Sequence, residues 1–290
     1  MFRLLRLLRR ALWRAFEHDA FGIAKGAAFS AILTLFPTVL VVASVLAYSP
    51  RTHAVLREFS HALGSILPSG AGGPVISLLQ GTQQHPIGIV VPMSLLTLWT
   101  ASGIMISWMQ GFRNAYHLPK EWGLVKERLI AFLLVFLTLV PMMFATSLIA
   151  FGNQIEGWLA NRAGHEIGLL ILLLWTAARW LIAALTSVGV ILLIYHFAVP
   201  RTHPWHLVLP GAALATAMWF PATVLFGWYL QRFSTYSVMY GSVGRAIALL
   251  VWLYILSVII LVGAEFNALI YPKRLTGLEP APEREEVQAL

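Results

Sequence analysis

Near its end the chain reads "AIALLVWLYILSVIILVGAEFNALIYPKR", in which about twenty nearly unbroken apolar residues run into one acid, Glu265, and one amide, Asn267. An acid at the end of such a run must be neutral, hydrated by headgroups, or paired. Glu265 precedes Tyr271 by about six residues, roughly 9 Å of helix, which sets it inside the leaflet rather than at its surface. Three cations lie near it in type. Arg179 sits about eighteen residues, roughly 27 Å, from the inner end of its own run, too deep for a direct pair. Lys25 and His196 fall at matching depth. The expectation is a polar cluster of Glu265 with Lys25, and with Asn267 and His196, that either binds substrate or joins the first apolar run to the last.

Other reactive residue types do not assemble into a site. His203 and His206 in "RTHPWH" have the spacing of two metal ligands, but no third follows, and Trp205 between them suits an interfacial anchor. Ser242 in "YGSVG" has no GxSxG frame, and its glycines are expected to make a tight turn before the last span. Glu121 and Glu127, accompanied by Lys120, Lys126 and Arg128, read as a solvated loop. The chain has no cysteine, which removes disulfides, thiol catalysis and Cys-ligated metal. No catalytic residue, metal or cofactor is therefore expected.

The elements that must position these groups are set by hydropathy. Of 290 residues 59% are hydrophobic and 11% charged, more apolar surface than a water-soluble domain can hide. Six runs reach the length that a bilayer core of about 30 Å demands: Ile23 to Ala47, Ile87 to Met109, Leu129 to Phe151, Ile167 to Phe197, Leu207 to Leu230 and Ala246 to Tyr271. The fold class is all-α, a polytopic membrane protein. Prolines fall inside spans at Pro37, Pro92, Pro141 and Pro221, and each frees a carbonyl that hydroxyls such as Ser30 and Thr34 can serve. Kinked spans of this kind enclose semi-polar cavities, and Ser30, Pro37, Arg179, Trp252 and Tyr254 are the candidate lining residues.

Charge orients the bundle. An even number of spans puts both termini on one face, and that face collects fourteen of the twenty Lys and Arg residues, against five on the other and Arg179 within a span. By the positive-inside rule both termini are cytoplasmic. Residues 1–22, "MFRLLRLLRRALWRAFEHDAFG", form a basic amphipathic helix. Leu4, Leu5, Leu7, Leu8, Ala11, Leu12, Ala15 and Phe16 share one half of its wheel, and five arginines take the other. It is expected to lie on anionic lipid, not on nucleic acid. Residues 23–271 form the six-helix transmembrane domain, and 272–290, with "EPAPEREEVQAL", a cytoplasmic disordered tail. The exterior segment from Ser49 to Pro86 reads as two short interfacial helices about "PSGAGGP".

Three stretches carry a family resemblance: "FGIAKGAAFSAILTLFP", "VLPGAALATAMW" and "YSVMYGSVGRAIALLVWLYILSVIILVGAEFNALI". Together they resemble the YihY/BrkB family of bacterial inner-membrane proteins, once labelled ribonuclease BN, and the similarity runs from the first span to the last. The resemblance implies a six-span protein of the bacterial cytoplasmic membrane. It carries no catalytic residues over, and it implies that the ribonuclease label is a misassignment. The functional expectation is a transporter or lipid-handling protein, with a structural envelope protein as the alternative. Membrane lipid is the expected partner, and a homo-oligomer is compatible with the sequence.

Overall fold

The computed structural model describes residues 2–47, 86–162, 165–200, 204–232 and 235–271. The expected exterior helices, His203 and the C-terminal tail lie outside the described residues. Within them are seven helices: α1 (Phe2–Glu17), α2 (Ala20–Ala47), α3 (Pro86–Ala115), α4 (Leu124–Arg162), α5 (His165–Phe197), α6 (Trp205–Arg232) and α7 (Thr235–Ile270). Six of them, α2 to α7, are long and apolar enough to cross a membrane. With no strand among the described residues, the chain is an all-helical polytopic membrane protein. Every buried backbone donor in lipid must be paired within its own segment, and uninterrupted helices are the way a single span achieves this.

Each helix packs on its neighbours in sequence, and α7 also packs on α2, so the six spans close into a ring. The last helix is the hub, touching α6, α2, α3 and α1. Apolar side chains gain nothing by leaving lipid for each other, so close approach depends on small residues. Helices α6 and α7 cross at Gly211 and Gly263, where a Cβ on either glycine would overlap the other's carbonyl oxygen. At the α2–α3 contact, Gly103 lies under Ser30 and Gly26 under Ser107. The Tyr195 hydroxyl donates to the Ile260 carbonyl at 2.5 Å, tying α5 to α7.

Two expectations about these elements change. The "YGSVG" segment is not a turn, since α7 runs without a break from Thr235 and includes it. Glycine is tolerated in membrane helices, where no water competes for the backbone. The prolines do lie inside helices, joined by Pro210 in α6. The hydroxyls near Pro37 serve other carbonyls than the one it frees, that of Leu33: Thr34 donates to Ser30 and Thr38 to Thr34, each at 2.7 Å.

The buried core is concentrated at the face that carries the N-terminus. There α1 lays Ala11 and Ala15, both fully buried, against the end of α7, with Leu7 and Leu8 beside them. Leu5, Leu12 and Phe16, the other flank of the same apolar arc, stay exposed. The amphipathic helix thus divides its apolar surface between the bundle and its surroundings. Arg6, Arg9 and Arg10 are exposed on the opposite side.

Candidate functional site

Two helix ends shape the site. Helix α1 stops at a two-residue corner, where His18 N donates to the Arg14 carbonyl and Asp19 turns into the left-handed region at φ 57°. Asp19 then starts α2, its carbonyl accepting from Ile23 N at 3.0 Å. Helix α3 ends in a left-handed cap, in which Leu118 N reaches the Arg113 carbonyl and His117 N the Asn114 carbonyl. The residue in the left-handed position is His117, at φ 51°, where glycine is the usual choice. A histidine there costs about 1 kcal/mol in backbone strain.

These corners bring His18 and His117 together, ring centroids 4.9 Å apart and edge to face. Asn114 Nδ2 donates to the His18 carbonyl at 3.1 Å and fixes the corner on α3. From α7, Glu265 meets His18, with Oε1 2.7 Å from Nδ1. Glu265 is 1% exposed, and its second oxygen has no hydrogen-bond partner among the described residues. Two residues further along α7, about half a turn around the helix, the buried Asn267 accepts from Gly211 N at 2.6 Å and donates to the Val208 carbonyl at 3.1 Å. The fully buried Tyr116 stands near both Asn267 and the Glu265 carboxylate.

Glu265 therefore has a partner other than the one expected. Lys25 is exposed, and no ion pair joins it to Glu265 within 4.0 Å. His196 stacks on Trp205, ring centroids 4.0 Å apart. Asn267 is buried on the same helix, but its side-chain bonds go to Gly211 and Val208 of α6. Of the cavity candidates, Pro37 is buried, while Ser30, Arg179, Trp252 and Tyr254 are half-buried. Trp252 stacks on Phe226 with centroids 5.2 Å apart.

The supposed solvated loop contains a second buried polar pair. Arg113 Nη1 meets Glu127 Oε1 at 2.5 Å, and Lys120 Nζ lies 3.7 Å from Oε2. Glu127 is 4% exposed. Neither this pair nor His18 was singled out from sequence. The available signal was local: His18 and Asp19 interrupt two helical patterns and so mark a corner. Among the described residues no group of three or more His, Asp and Glu is placed to hold a metal ion.

His117 is exposed on one side, yet burial first, and then the charges of His18 and Arg14, hold its pKa below the ordinary histidine value. The folded state thus disfavours its protonation. No penalty operates above the unfolded pKa of about 6.5, and stability falls as pH drops through that value toward the lower folded one. The melting temperature in detergent is expected to decline from pH 7.5 to 5.5, and less steeply in His117→Asn, which keeps a residue tolerant of the left-handed turn. Identical slopes would contradict this.

The fold and the buried polar site define a six-span integral membrane protein with an amphipathic N-terminal helix packed on its last span. Residues 11–288 match the family described as virulence factor BrkB, and the chain belongs to that family. Ribonuclease-like protein YfkH of Bacillus subtilis is 27% identical over 259 residues, covering 89% of this chain and 92% of that protein. A UPF0761 membrane protein of Tolumonas auensis is 30% identical over 270 residues, covering 88% and 82%. A UPF0761 membrane protein of Aromatoleum aromaticum is 27% identical over 256 residues, 85% of this chain and 59% of that one. No solved structure matches the chain.

Proposed function

We propose that this is a transport or lipid-handling protein of the bacterial cytoplasmic membrane, with both termini in the cytoplasm and α1 resting on anionic lipid. The observation that carries this reading is Glu265, an acid 1% exposed within a span, held through one oxygen by a histidine at the corner between α1 and α2. A purely structural contact would be as stable or more so with apolar groups of the same volume. An ionisable pair suits a contact that is broken and remade while the protein works. The fourteen-to-five distribution of Lys and Arg supports the orientation.

Reconstitution into liposomes tests the proposal. The expected result is movement of a fluorescent phospholipid or of a small solute, reduced in Glu265→Gln. Folded protein that moves neither class overturns it and favours a structural envelope protein, a reading supported by the close packing at the N-terminal face. The orientation is tested by a phosphatase fused after Leu290, which should be inactive; activity outside the cytoplasm would reverse it.

A further inference from the structure

We propose that Arg128, Trp99 and Ser102 form a seat for the phosphate of an anionic membrane lipid in the groove between α3 and α4. Arg128 is the fifth residue of α4, and its guanidinium lies 4.1 Å from the centroid of the Trp99 ring. Its Nη1 donates to Ser102 Oγ at 2.8 Å. The neighbouring residue in sequence, Glu127, reaches the opposite way, to Arg113. Ser102 precedes Arg113 on α3 by eleven residues, about 16 Å of helix. Adjacent side chains of α4 are thus drawn toward points widely separated along α3.

That direction is the physical anomaly. A long cation one turn inside a span ordinarily snorkels to the nearer interface. Arg128 instead points away from the N-terminal face, toward the middle of the α3 span (Val90–Ala115). It has no carboxylate within 4.0 Å among the described residues, and a single hydroxyl satisfies one of its five N–H donors. The face of Trp99 and one hydroxyl are weak compensation for a charge in lipid. A planar guanidinium left with free donors is matched by a phosphate, which accepts two parallel bonds.

The surroundings decide where that phosphate comes from. Trp99 is 56% exposed beside Phe132 of α4, and Leu95 on α3 and Leu129 and Leu133 on α4 are exposed by about the same amount or more. These side chains form part of the lipid-facing surface of the spans, so the anion most naturally arrives with acyl chains attached. The seat rests on the lipid-handling reading and names the headgroup chemistry for it.

Equilibrium binding in detergent tests the seat separately from transport. Arg6, Arg9 and Arg10 are first replaced by glutamine, so that α1 does not bind the probe. Retention of phosphatidylglycerol is then measured by native mass spectrometry against phosphatidylcholine and inorganic phosphate. The expected result is a preference for phosphatidylglycerol that weakens at least tenfold in Arg128→Gln and by less in Arg128→Lys. Arg128→Lys keeps the charge and stem, and serves as the reading if the glutamine variant does not fold. Unchanged phosphatidylglycerol binding in either variant overturns the seat. Displacement by millimolar inorganic phosphate, itself dependent on Arg128, keeps the phosphate chemistry but overturns the lipid source. Loss of binding in Arg128→Gln alongside absent flux in the unmodified protein supports the seat while defeating transport, so the two failures are distinguishable.

Discussion

Valine in place of Gly211 is expected to destabilise the protein by about 3 kcal/mol, the upper end of ordinary overpacking. The reason is what a Cβ there would meet: the backbone carbonyl oxygen of Gly263, and the Asn267 amide, which its two hydrogen bonds hold in place. The same crossing places Tyr195 Oη and the Gly211 carbonyl against Gly263, so Gly263→Val meets the same obstacle from the other side. Moving α6 off α7 would also break the bonds from Asn267 to Gly211 N and the Val208 carbonyl, leaving buried polar groups unpaired. Both variants should lose the monodisperse peak in detergent gel filtration or melt well below the wild type. Gly189 and Gly227, whose Cβ positions meet nothing within 4 Å, are the controls. Their alanine variants should be neutral or up to about 1 kcal/mol more stable, through helix propensity alone. If Gly211→Val melts with these controls, α6 and α7 do not cross as described.

The second large effect is expected at Glu265. Glu265→Ala leaves His18 without its partner, and His18→Ala leaves a buried carboxylate without one, so each alone should cost about 3 kcal/mol. The double variant should cost little more than either single one, giving a coupling of about 2 kcal/mol. Lys25→Ala paired with Glu265→Ala should instead be additive, because Lys25 is exposed and makes no ion pair with Glu265. Thermal melts of the purified variants at pH 7 measure all three. A coupling near zero for His18 with a large one for Lys25 would restore the pairing that depth along the helices suggests. Glu265→Lys should be the most damaging single change at the site, since it removes the acceptor that His18 meets and buries a cation near Arg14.

The contrast between Lys25 and His18 shows where sequence reading reaches and where it stops. Length and hydropathy are one-dimensional properties, and a bilayer turns them directly into structure. The six spans, the all-helical class, the prolines inside helices and the amphipathic α1 followed from residue order alone. Family membership was also legible, because the motif from Tyr240 to Asn267 is contiguous. Position along a helix is likewise one-dimensional, and it sets Glu265 near the end of its apolar run. The neighbour across a helix interface, however, depends on how two helices are rotated about their axes. In lipid that rotation is decided by where backbones can approach, at Gly211 against Gly263 and at Gly103 under Ser30. Hydrophobic periodicity is nearly silent there, since lipid-facing and protein-facing residues are both apolar. The tertiary structure alone therefore chose His18 over Lys25, drew Asn267 to Gly211 and Val208, buried Glu127 against Arg113, and aimed Arg128 into the span, because each of these contacts is made between helices whose relative rotation no single helix encodes.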